Sequence, residues 1–222
     1  MSTTLDGPRL APASGGAAHQ IVVLLHGYGA NGDDLIALGR EWRQRLPDAA
    51  FVAPNAPEPI AMSPFGGLQW FELTFRNERE LWRGAQAAAP VLETFLDEEL
   101  KRHDLDERAL ALVGFSQGTM MALHVGLRRS LAPAAIVGFS GVIAGPEHLA
   151  AQITVRPPVL LIHGETDDVI PAEAIHLTRE ALAGADVLVE WHIRPELGHG
   201  IDAEGLALGG TFLANAFKAT GR

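Results

Sequence analysis

Five consecutive apolar residues, Ile21-Val22-Val23-Leu24-Leu25, run into a glycine-bearing turn, and runs of the same kind recur along the chain. A strand without polar alternation must be covered on both faces, which is the habit of parallel sheets rather than of half-wet antiparallel ones. Further runs lie at Ala50 to Val52, Ala109 to Val113, Ala134 to Phe139, Val159 to Ile162 and Val187 to Ile193. Helical patterns fall between them: from Asp33 to Arg45, along the stripe Leu81, Ala85, Ala88, Leu92, Phe95 and Leu96, and over 117–130, 172–183 and 203–218. Strands alternating with helices predict an α/β fold with a mainly parallel central sheet and helices on both faces. Pro90 predicts either a kink in the second helix or its true start.

A chain of 222 residues suits a single core, which grows to ~250 residues before splitting. One domain is expected over residues 20–222, after a segment 1–19 that forms a flexible leader or a short edge strand. Cysteine is absent, so a disulfide scaffold, a thiol nucleophile and a thiolate metal site are excluded. The net charge of −10 repels nucleic acid and anionic membranes, and neither is expected as a partner. No apolar stretch approaches the ~20 residues of a membrane helix. The opening MSTTLDGPRLAPASGGAAHQ has neither the basic start nor the apolar middle of a signal peptide, so a cytoplasmic setting is expected. Residues 54–79 form a long irregular section whose GGLQWFEL aromatics argue for a functional loop rather than disorder.

Gly114-Phe115-Ser116-Gln117-Gly118 fits G-x-S-x-G at a strand-to-helix junction. Small residues two before and two after the serine let strand and helix approach closely, so that the hydroxyl stands above the sheet at a helix N-terminus. Gly138-Phe139-Ser140-Gly141 also follows a strand, but position 142 is Val; Ser140 reads as a turn residue. A serine hydroxyl needs a base and an orienting acid to become a nucleophile. The order for this elbow is Ser, then Asp or Glu, then His. Asp167 and Asp168, in HGETDDVIP, are both candidates for the acid, and His199, between Gly198 and Gly200, is the candidate base. One oxyanion donor is the amide of Gln117; the other belongs to the loop His26-Gly27-Tyr28-Gly29-Ala30-Asn31-Gly32. That loop has no nucleotide-binding signature. The remaining histidines share no ligand spacing, so no metal site and no cofactor is expected.

Together LLHGYGANGDDL, GFSQGTMMAL, HGETDDVIP and GHGI, with PNAP and QWF, resemble the phospholipase/carboxylesterase family, which includes bacterial carboxylesterases and acyl-protein thioesterases. The resemblance spans most of residues 20–220. It implies an α/β-hydrolase fold without a large cap. It implies Ser116 as nucleophile, His199 as base, and Asp167 rather than Asp168 as acid. It implies the amides of Tyr28 and Gln117 as the oxyanion hole and the GGLQWF section as the acyl-side wall. Leu68, Trp70, Phe71 and Leu73 suggest an apolar acyl site there; the alternative is that Trp70 and Phe71 simply pack the loop down. Thr119 stands where many members have glycine, a difference bearing on helix packing. Asp168 stands where the thioesterases often have proline.

The implied activity is hydrolysis of small-molecule esters or thioesters of short to medium acyl chains. The rival reading is a non-catalytic ligand-binding protein on the same scaffold. A further alternative is an interaction protein, and the residues leave the oligomeric state open, a homodimer included.

Overall fold

The computed structural model describes residues 4–61, 67–74 and 77–221. In chain order the elements are β1 (Arg9–Leu10), β2 (Gln20–Leu25), α1 (Gly32–Trp42), β3 (Ala49–Val52), β4 (Glu58–Pro59), β5 (Leu68–Gln69), α2 (Glu78–His103), β6 (Leu110–Phe115), α3 (Gln117–Gly126), β7 (Ala135–Phe139), α4 (Leu149–Gln152), β8 (Val159–Gly164), α5 (Glu173–Gly184), β9 (Val189–Arg194) and α6 (Ala203–Ala219). The main sheet has seven strands in the order β1-β3-β2-β6-β7-β8-β9. Every neighbouring pair is parallel except β1 with β3.

Strand periodicity divides the core into two halves. Ile21, Val23 and Leu25 of β2, with Leu110 and Leu112 of β6, face a cluster holding Phe95 and Leu96 of α2, Leu123 of α3 and Leu182 of α5. Val22 and Leu24, with Ala111 and Val113, face Ile36 and Trp42 of α1 and Leu213 and Phe217 of α6. Successive side chains on a strand point to opposite faces, so an unbroken apolar run serves both clusters at once. Trp42 Nε1 donates to the Leu206 carbonyl at 2.8 Å and joins the two helices of the second face.

The helix starts are capped. Asn31 accepts from the Asp33 and Asp34 amides, and the Asp34 carboxylate accepts the Asn31 amide in return, which completes a capping box. Asn77 caps α2 through the Glu80 amide. The second helix therefore begins at Glu78, and Pro90 lies within it. Proline removes the bond to the carbonyl four residues back. Here that residue, Gln86, is exposed, so water can serve the freed oxygen.

The opening residues include an edge strand. Pro8 and Asp6 carbonyls accept from the Ala53 and Asn55 amides, and Arg9 pairs with the buried Glu99 of α2 at 2.8 Å. Within the irregular section 54–79, β4 and β5 pair with each other; residues 62–66 and 75–76 lie outside the described residues. Among the described residues, no helix is long and apolar enough to cross a membrane.

The strand order fixes where a site can form. From β2 the chain steps to β3 on one side, then crosses to β6 on the other. Beyond the carboxyl ends of β2 and β6, where the winding reverses, the following loops diverge and leave a crevice. The turn at Gly27 and the turn at Ser116 occupy that position.

Candidate active site

Ser116 has φ 54° and ψ −117°, a left-handed backbone that a residue with a side chain adopts only when its surroundings impose it. The surroundings are visible. A Cβ on Gly114 would lie 2.3 Å from Gly118 backbone atoms, and a Cβ on Gly118 would lie 1.8 Å from the Leu25 carbonyl oxygen. The two glycines of the motif thus allow α3 to press against both β6 and β2. The Ser116 amide donates to the Phe139 carbonyl at 2.9 Å, pinning the turn to β7.

Thr119 adds a tie not anticipated from sequence. Its hydroxyl lies 2.9 Å from both the Gly114 and Phe139 carbonyls, so it bridges the exits of β6 and β7 beneath the serine. The departure from glycine at this position is thus a packing feature with a hydrogen bond of its own.

Asp167 follows β8 and is buried. Its Oδ1 accepts from the Val169 and Ile170 amides at 2.9 Å each, and its Oδ2 lies 2.8 Å from His199 Nδ1. Burial alone would raise this carboxyl. The hydrogen bonds from His199 and from the Ile170 and Val169 amides outweigh it, and Asp167 sits below the usual carboxylate range. An ionised carboxylate only accepts, so Nδ1 of His199 is the donor in this contact. Asp168 is exposed and has no side-chain partner among the described residues. Of the two adjacent carboxylates, Asp167 is thus the one that contacts His199.

His163 Nε2 lies 3.3 Å from the same Asp167 oxygen and 2.8 Å from the Ile170 carbonyl, which makes it a loop-holding histidine. His26 likewise uses both ring nitrogens locally, bonding the Gly27 carbonyl at 2.8 Å and the Ala56 amide at 2.9 Å. His124, on α3, packs edge-on against Trp82 with ring centroids 5.2 Å apart, and its Nδ1 is buried with no partner among the described residues. Burial, with Arg128 nearby, pushes its pKa down to about 4. Among the described residues, no group of three or more His, Asp or Glu could hold a metal ion.

Ser116, Gln117, Tyr28 and His199 line one cavity of about 400 Å³. The Phe115 ring packs against His199 at 4.9 Å. The loop after β2 passes directly beside the serine, since a Cβ on Gly27 would lie 3.2 Å from Ser116 Cβ. The remaining wall is apolar: Leu73, Leu81, Met120, Val142, Val169, Ile170 and Pro171. Ser116 Oγ has no hydrogen-bond partner among the described residues. Contacts between nucleophile and base commonly tighten only around a substrate.

Leu68, Trp70 and Phe71, expected on the acyl wall, are absent from the cavity lining. Trp70 and Phe71 are buried behind it. The indole N–H of Trp70 donates to the His26 carbonyl at 2.9 Å, and Phe71 packs where a Cβ on Gly84 would meet its ring at 2.3 Å. Leu68 is half-buried and pairs by backbone with Ala30. Of the four apolar residues expected at the acyl site, Leu73 does line the cavity.

A mainly parallel sheet, a serine elbow after one strand, and an Asp–His pair carried by the turns after later strands define an α/β-hydrolase. A model of the phospholipase/carboxylesterase family matches residues 11–216. The crystal structure of esterase PE8 superposes with a TM-score of 0.91 at 45% identity, over 96% of this chain and 99% of that one. Acyl-protein thioesterase 1 of Gibberella zeae is 29% identical over 217 residues, covering 88% of this chain and 91% of the relative. Esterase YpfH of Escherichia coli K12 is 31% identical over 188 residues, covering 83% and 78%. The chain belongs to the phospholipase/carboxylesterase family.

Proposed function

We propose that the protein is a serine hydrolase that cleaves carboxylic esters or thioesters of short to medium acyl chains, without a cofactor. The observation that carries this reading is the presence of the strained Ser116 elbow and the Asp167-bound His199 on one apolar cavity. Ser116 Oγ attacks the carbonyl carbon while His199 Nε2 takes its proton. The oxyanion that forms accepts hydrogen bonds from the Tyr28 and Gln117 amides. The bond to the leaving oxygen or sulfur breaks as His199 returns the proton to it, leaving an acyl ester on Ser116. Water, deprotonated by His199, then attacks that ester, and the acid departs as Ser116 regains its proton. Asp167 keeps Nδ1–H in place and stabilises the imidazolium at each stage.

The wall supports an acyl chain rather than a polar substituent. A cavity of about 400 Å³ lies within the ~300–1,000 Å³ range of small-molecule sites and holds a short to medium chain against Leu73, Leu81 and Val142. The relatives named esterase and acyl-protein thioesterase support both leaving-group atoms.

Intact mass after brief exposure to a fluorophosphonate, on the wild type and Ser116→Ala, tests the nucleophile. One adduct on the wild type and none on the variant is expected. A folded wild type that takes no adduct would overturn the reading. Initial rates on acyl esters of increasing length test the chain preference, and an optimum at the longest chains would refute it.

A further inference from the structure

Gln117 contributes more than an amide. Its side chain is fully buried, and it is bonded at both ends to a segment far away in sequence. Oε1 accepts from the Trp70 amide at 2.9 Å, and Nε2 donates to the Phe71 carbonyl at 2.8 Å. These partners fix the orientation of the amide, because the flipped form would set donor against donor and acceptor against acceptor. The side chain thus bonds the segment as a neighbouring strand would.

The other end of that segment is fastened to the loop after β2. The Gly29 amide donates to the Leu68 carbonyl at 2.9 Å, and the Leu68 amide donates to the Ala30 carbonyl at 3.0 Å. In the middle, Trp70 Nε1 donates to the His26 carbonyl, and its ring lies 5.7 Å from the His26 ring. Residues 68–71 therefore hold the turn that bears Tyr28 with one hand and the turn that bears Gln117 with the other. Among the described residues, no other side-chain hydrogen bond joins residues 68–71 to the serine turn.

We propose that residues 68–71 brace the oxyanion hole. The side chain of Gln117 is a positioning residue that fixes the distance between the Tyr28 and Gln117 amides. The proposal rests on the serine hydrolase reading above. Two donors stabilise a developing charge only if both stand at hydrogen-bond distance from one point, and a displacement of ~1 Å costs on the order of 100-fold in rate. The ground-state carbonyl gains far less from the same donors, so the brace acts on turnover rather than on substrate binding.

The test uses Gln117→Met, which keeps the length of the side chain and removes both hydrogen bonds. The substrate is a short acetate ester that makes little use of the apolar wall. Expected is a fall in kcat of about 10- to 100-fold with KM within about threefold. The affinity for an alkylboronic acid, which forms a tetrahedral adduct with the serine, should fall in parallel with kcat, because the adduct uses the same two amides. Trp70→Phe removes only the bond to the His26 carbonyl and keeps an aromatic ring; a smaller loss with the same signature is expected. That variant carries the test if Gln117→Met does not fold. Folded variants with kcat and boronate affinity within twofold of wild type would overturn the brace, as would a loss confined to KM. Fluorophosphonate labelling of the wild type separates the two ideas: a labelled wild type with unchanged variants refutes the brace alone, and an unlabelled wild type refutes the hydrolase reading beneath it.

Discussion

His199 and Asp167 meet through Nδ1 and Oδ2 at 2.8 Å, while the other oxygen of that carboxylate is held by two amides of its own loop. The carboxylate is thus anchored independently of the imidazole it touches. Asp167→Asn should keep the loop bonds through its carbonyl oxygen and present an NH₂ group to His199. The imidazole is then driven to the wrong tautomer. We expect kcat to fall by about 10³- to 10⁴-fold with little change in unfolding temperature, measured by ester turnover and thermal scans. A variant that keeps more than a tenth of wild-type kcat would remove Asp167 from the mechanism.

His124 gives the fold a pH dependence separate from catalysis. Its pKa in the folded chain is about 4, below the ordinary 6.5. The unfolded chain therefore takes up this proton first as pH falls. Stability is complete above pH 6.5, declines as pH drops toward about 4, and changes no further below that on account of this group. The full loss is on the order of 3 kcal/mol. Denaturant midpoints between pH 8 and pH 4.5 should fall more steeply for the wild type than for His124→Leu. Parallel slopes would contradict the assignment.

Thr119 ties two strand exits through one hydroxyl. Thr119→Val keeps the shape and removes the donor, so we expect a loss of about 1–3 kcal/mol in urea unfolding. Thr119→Ser should recover most of it. A Val midpoint equal to wild type, with the loss in the Ser variant instead, would show that the methyl group, not the hydroxyl, matters here.

Val142 stands on the apolar wall of the cavity. Val142→Phe fills part of that space. Rates on hexanoate and octanoate esters should fall at least about 10-fold, with the acetate rate within about threefold, since discrimination is worth about 1–3 kcal/mol per methylene in an apolar pocket. A uniform loss across chain lengths would mean that acyl chains lie elsewhere.

The strands were legible because burial on both faces leaves a run such as Ile21 to Leu25 without polar interruption, and every one of those residues is fully buried. The Ser116 turn was legible because its two glycines stand in one five-residue motif, where a Cβ on Gly114 would meet the Gly118 backbone. The choice between Asp167 and Asp168 was not open to the residues alone, since two adjacent carboxylates differ only in which one points inward; the family resemblance chose Asp167, and Asp167 is the one in contact with His199. Trp70 and Phe71 show the limit from the other side. Their aromatic character predicts burial, but burial in a wall and exposure on a wall look alike in sequence. What separates them is the indole bond to His26 and the space over Gly84, both set by distant segments. The side-chain roles of Gln117 and Thr119 were invisible for the same reason. Pro90 lies inside α2 rather than at its start, because the residue that caps the start, Asn77, lies in the irregular section before it.

The Ser116 turn, the Asp167 loop and the His199 loop leave the ends of sheet strands, and the first two carry part of the cavity wall with them in Met120, Val169, Ile170 and Pro171. Leu73, before α2, and Leu81, in its first turn, close the wall from outside the sheet. A substitution at Leu73 or Leu81 therefore reshapes the cavity without touching a strand exit, whereas one at Val169 or Ile170 also disturbs the loop whose amides hold Asp167.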